Sequence, residues 1–146
     1  MSEELEHWAA VPVELEMRGR VYRLAPLTVA QYAELVAWAR RLPYAELEAD
    51  LAAIENPELR KLAQVELIRE AARASRDPLR IAMALGSPEC CKRAARVALK
   101  ANHPELTDEA AAELVGALEV DRLAGIVDRL VTLGAKGDKK ADRKNG

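Results

Sequence analysis

Residues 11–28 read VPVELEMRGRVYRLAPLT, and this stretch decides the fold. Val13, Leu15 and Met17 alternate with Glu14 and Glu16, the two-residue period of a strand with one buried face. Arg18-Gly19 is the turn signal, because glycine supplies the positive φ of a tight turn. A two-residue loop there sets Leu15 opposite Tyr22 and Val13 opposite Leu24 on one face, with Glu14 opposite Arg23 on the other. Apolar side chains then face apolar ones, and opposite charges face each other. An isolated hairpin is marginal in water. Its apolar face, centred on Leu15, Tyr22 and Leu24, must therefore rest on helices or on a partner.

After Pro26 the signals are helical. Thr28 with Gln31 forms a capping box. The pattern predicts helices over about 29–41, ended by Pro43, and over about 44–54. Asn56-Pro57, Asp77-Pro78 and Ser87-Pro88 each join a capping side chain to a proline at the first helical position. They open helices from 57 to about 76, from 78 to Gly86, and from 88 to about 101. Asn102-His103-Pro104 breaks the chain, and Thr107 caps a helix over about 108–118. Asp121 caps the last helix, where Leu123, Ile126, Val127, Leu130 and Leu133 recur at 3–4 spacing and Gly134 is the closing residue. The expected fold is mainly α, a compact bundle of about six to seven short helices preceded by the hairpin at about 11–24. One domain is expected over 1–134, then a disordered, basic, hydrophilic tail over 135–146 that lacks apolar periodicity.

Composition agrees. Half of the 146 residues are apolar, with 28 Ala, 20 Leu and no Phe. Ala and Leu favour helices of low side-chain volume. Only four Ile and three Thr are present, too few β-formers for a sandwich or barrel. Net charge is −2, but residues 135–146 carry five basic and two acidic groups, so the body is acidic. An acidic body disfavours nucleic acid, whose binding needs a positive field against phosphate. No apolar run nears the roughly 20 residues of a membrane span. Residues Met1–Trp8 are acidic, so no signal peptide is expected. Cys90 and Cys91 are adjacent, a poor disulfide pair, which suits a reduced cytosolic chain.

Catalytic constellations are missing. Gly134-Ala135-Lys136-Gly137 follows a helix and does not join a strand to one, so it is no phosphate loop. Cys90, Cys91, His7 and His103 lack the pair spacing of a zinc site. The cysteines read as small core residues, and His103 as a helix-end residue bonding or facing the last carbonyls. Ser2, Ser75 and Ser87 have no His or carboxylate neighbour suited to nucleophilic catalysis. Neither an enzyme nor a cofactor is expected. The candidate partner-binding residues are Leu15, Tyr22 and Leu24 on the hairpin, Lys92, Arg96 and Lys100, and Lys139 and Lys140 in the tail. Lys92, Arg96 and Lys100 recur every four residues, which makes a basic stripe about 12 Å long on one helix face.

Two segments carry a family resemblance. Residues 18–28, RGRVYRLAPLT, run from a hairpin into a helix, and residues 102–109, NHPELTDE, precede two short helices ending at Leu133-Gly134. This layout resembles the tail assembly chaperones of long-tailed bacteriophages, in order of elements over residues 11–134 and most closely over 19–28 and 102–115. The resemblance implies a protein of the host cytoplasm that coats the tape measure protein, keeps it soluble and recruits tail tube subunits. It also implies a longer form made by ribosomal frameshifting, with 135–146 as the ending of the shorter form, and it carries over no catalytic residue. The residues also leave open a homo-oligomer, a small helical nucleic-acid-associated regulator, and a structural head or tail component.

Overall fold

The computed structural model of the chain describes residues 13–145. Among them are two strands, β1 (Val13–Met17) and β2 (Arg20–Leu24), and six helices. The helices are α1 (Val29–Ala52), α2 (Pro57–Ala74), α3 (Pro78–Leu85), α4 (Pro88–Asn102), α5 (Asp108–Gly116) and α6 (Val120–Asn145). Two compact units result: one gathers the chain up to Ala33 and from Gly86 onward, the other holds Glu34–Leu85. The mainly helical fold with a leading hairpin is the one the sequence predicts.

The first unit is built on the hairpin. Its register is the expected one, with Val13 opposite Leu24, Glu14 opposite Arg23 and Leu15 opposite Tyr22. Arg18 and Gly19 both take positive φ, at 53° and 76°, as a two-residue primed turn requires. Val13, Leu15, Met17, Tyr22 and Leu24 are buried, while Glu14 and Arg23 form an exposed ion pair at 3.5 Å. β2 packs on α4 and β1 touches α6. The buried residues of α4 include Cys90, Cys91, Ala94, Ala95 and Ala98. Such short side chains let neighbouring elements approach the helix closely.

The link after β2 lies on two helix backbones. Ala25 N–H donates to the Ala98 carbonyl of α4 at 3.0 Å, and Leu27 N–H to the Leu130 carbonyl of α6 at 3.2 Å. The Leu27 carbonyl occupies the space that a Cβ at Gly134 would need. This contact explains a correction. Gly134 was expected to close the last helix, yet α6 continues past it to Asn145. Gly134 is a packing residue inside the helix, and a single helical glycine costs only about 1 kcal/mol relative to alanine. Leu123, Ile126 and Leu130 of α6 are buried as expected, and Asp121 lies in the first turn, not at the cap.

The second unit carries another correction. α1 is one helix of 24 residues with Pro43 inside it, not two helices separated there. Proline removes the donor for the Ala39 carbonyl and crowds it. The buried residues Leu35, Ala39 and Leu47 lie at four-residue spacing in line with Pro43, so one apolar stripe runs past the defect and supports both halves. The caps behave as predicted. Thr28 and Gln31 exchange hydrogen bonds at 3.0 and 3.1 Å, and Asn56 Oδ1 accepts from Glu58 N–H at 2.9 Å. Asp77 Oδ1 likewise accepts from Leu79 N–H at 3.0 Å.

Gly134→Ala should destabilise the protein by about 1–3 kcal/mol, the usual cost of forcing an atom into filled space. Gly125→Ala, on the same helix with nothing within 4 Å of the added carbon, should instead stabilise it by about 0.5–1 kcal/mol. Urea denaturation of the two variants checks both signs.

Candidate functional site

The hairpin faces inward. Leu15, Tyr22 and Leu24, expected as a partner surface, are 5%, 8% and 1% exposed and belong to the core of their own unit. Burial against α4 satisfies the need for cover that the sequence left open. His103, the residue that caps the C-terminus of α4, holds β2 from outside. Arg23 N–H donates to His103 Nε2 at 3.1 Å, and Nδ1 lies 3.3 Å from Glu105 Oε1. With Nε2 accepting, the proton sits on Nδ1 and is given to Glu105. The Tyr22 ring meets the imidazole edge-on at 5.3 Å, and the Arg20 guanidinium stands 5.4 Å from the Tyr22 ring centre. The Glu105 carboxyl is held below its usual range by its own backbone N–H and, less strongly, by His103. His103 is thus structural as expected, but its ring serves a strand 80 residues away in place of helix carbonyls.

The basic stripe forms as predicted on α4. Lys92 is exposed, and Arg96 and Lys100 are half-buried. Glu89, Lys92, Arg93 and Arg96 line a shallow cleft of about 390 Å³ whose other wall is Ala112, Val115 and Gly116 of α5. Lys100 is ion-paired with Asp108 in the first turn of α5. The Lys100 hydrogen bond and charge, with help from Arg96, hold the Asp108 carboxyl below its ordinary value. Lys100 therefore ties α5 to α4, and Glu89 offsets part of the remaining positive charge. Lys139 and Lys140 lie on the α6 backbone, with side chains outside the described residues.

The unit over 34–85 presents apolar surface that the sequence reading did not single out. Leu59, Leu62, Val65 and Ile68 of α2 are 44–73% exposed, and Leu79 and Met83 of α3 are 69% and 68% exposed. The four α2 residues recur every three positions. Each such step turns about 60° backward around a helix, so the row sweeps half the circumference and one buried face cannot cover it. Beside α1, an apolar groove of about 250 Å³ is lined by Leu42, Pro43, Ala74, Ile81 and Met83, with Glu46 and Arg80 among its polar walls. The signal was present in the three-residue spacing, but a helical period alone does not say which side of α2 is buried.

Among the described residues no group of three or more His, Cys, Asp or Glu could hold a metal ion. Cys90 and Cys91 are buried free thiols, and burial pushes both up from the usual thiol range, Cys91 adding to the effect on Cys90. Among the described residues no helix is long and apolar enough to cross a membrane. Compared with protein families, curated proteins and solved structures, the chain has no match.

His103→Ala should cost about 1 kcal/mol, the net value of one hydrogen bond, because water replaces the lost acceptor at the exposed Arg23 N–H. Equilibrium urea unfolding measures the loss. Lys100→Met should raise the Asp108 carboxyl toward the ordinary aspartate range, with Arg96 still lowering it, which an NMR titration of that carboxyl carbon reads directly. The sign follows from linkage: with its depressed pKa, Asp108 supports the fold above the unfolded-state value. That support disappears as pH falls through the folded value, and it is reduced in the variant.

Proposed function

We propose that the chain is a non-enzymatic tail assembly chaperone of long-tailed bacteriophages. It binds the tape measure protein, keeps it soluble and recruits tail tube subunits in the host cytoplasm. The observation that carries this reading is the apolar groove beside α1 and α3, continued onto the exposed Leu79 and Met83. A helical client offers an apolar face at 3–4 residue spacing, and such faces dock into grooves of this kind. Methionine adapts to varied partners because its side chain is unbranched and polarizable. The layout of the segments around 19–28 and 102–115 adds support through the family resemblance. A nucleic-acid regulator draws less support, since Lys100 is engaged with Asp108 and Glu89 sits in the basic cleft.

Co-expression with the cognate tape measure protein tests the proposal. The wild-type chain should hold the client in the soluble fraction and co-purify with it. Leu79→Glu with Met83→Glu, both on exposed side chains, should fold with an unchanged circular dichroism spectrum and lose at least tenfold in retained client. A wild-type chain that leaves the tape measure protein insoluble overturns the chaperone reading. A double variant that retains the client moves the site away from the groove.

A further inference from the structure

The outward side of α2 has a pattern of its own. Ala63, Leu67, Ala71 and Ala74 are buried or half-buried, and they mark the side turned toward the rest of the 34–85 unit. Arg60 also points away from the outer side, with its guanidinium on the Ile54 carbonyl through Nε at 3.0 Å and Nη2 at 2.5 Å. Opposite them run Glu58, Leu62, Val65 and Arg69, all exposed. Their spacing of four, three and four residues is that of the seam along which two helices pack side by side. Leu62 and Val65, at 73% and 56% exposure, occupy the centre, and Leu59 and Ile68 flank it, one on each side.

The row is self-complementary in one direction only. In an antiparallel pair of α2 helices related by a two-fold axis at the level midway between Leu62 and Val65, each Leu62 meets the other copy's Val65. Each Glu58 then meets the other copy's Arg69 at both ends of the seam. A parallel pair would oppose Glu58 to Glu58 and Arg69 to Arg69, and like charges at a seam select against that arrangement. A two-fold contact of this kind is isologous and closes on itself, leaving no open surface for further growth. We propose that the outer face of α2 is the contact with a second copy of this chain, in an antiparallel two-fold dimer. One helix pair buries less than the ~1,600 Å² of a standard interface, so the dimer is weak and concentration-dependent. The contact stands apart from the client groove, and its test uses the chain alone.

Sedimentation velocity of the full chain from about 5 µM to 1 mM reads the outcome. The wild-type chain should shift from monomer to dimer within that range. Leu62→Glu, on a side chain already exposed to water, should remain monomeric with an unchanged circular dichroism spectrum. Glu58→Arg alone and Arg69→Glu alone should each weaken association at least tenfold, and the double swap E58R/R69E should restore it, because the ion pairs re-form with reversed sign. A wild-type chain that is monomeric throughout overturns the proposal. So does a dimer that survives Leu62→Glu, or a double swap no better than the single ones.

Discussion

The structure of the hairpin-containing unit depends on how the backbone of Leu27 lies against α6. Its N–H reaches the Leu130 carbonyl, and its own carbonyl fills the space beside Gly134. One residue earlier than the Thr28 cap, this contact fixes where α1 starts. Two residues before it, Ala25 N–H is held by the Ala98 carbonyl of α4. The exit of the hairpin is therefore fastened to both long helices of the unit at once. Burial of Leu24 and Leu27, at 1% and 3% exposure, removes these hydrogen bonds from competition with water.

Small residues make that arrangement feasible. Ala94, Ala95, Ala98 and Ala111 are fully buried at 0% exposure, and helices walled by alanine pack with their backbones near one another. The result is a core of little volume per residue, which is how a chain with no phenylalanine still closes around a two-stranded sheet. The 34–85 unit is built differently. Its buried residues are Leu35, Ala39, Leu47, Ala71 and Ala74, while several larger apolar side chains remain on its surface. The first unit buries most of its large apolar side chains, whereas the second leaves Leu59, Leu62, Val65, Ile68, Leu79 and Met83 exposed.

Much of this was legible in the sequence. The hairpin register followed from a two-residue period and one turn, because a slip of one residue would exchange the faces completely. The caps at Thr28, Asn56, Asp77, Ser87 and Thr107 were legible because their partners lie within three residues. Pro43 and Gly134 misled for a common reason: each is a local helix-ending signal overruled by distant packing. A buried stripe crosses Pro43, and Leu27, more than a hundred positions earlier, demands a glycine at 134. The partnership of His103 with Arg23 spans 80 residues and has no local signature. The basic stripe was visible as a spacing, but the loss of Lys100 to Asp108 needed the turn between α4 and α5.

Periodicity and capping, which act over two to four residues, thus determined from the sequence alone that the chain is a hairpin followed by helices. They also determined which residues of the hairpin are apolar on one face. Tertiary structure alone decided that Leu15, Tyr22 and Leu24 turn inward, that α1 survives its proline, and that Gly134 belongs inside a helix. It also decided which side of α2 is left bare. A helical period specifies that a face exists, whereas the face that meets water depends on which neighbours arrive, and those neighbours come from distant parts of the chain.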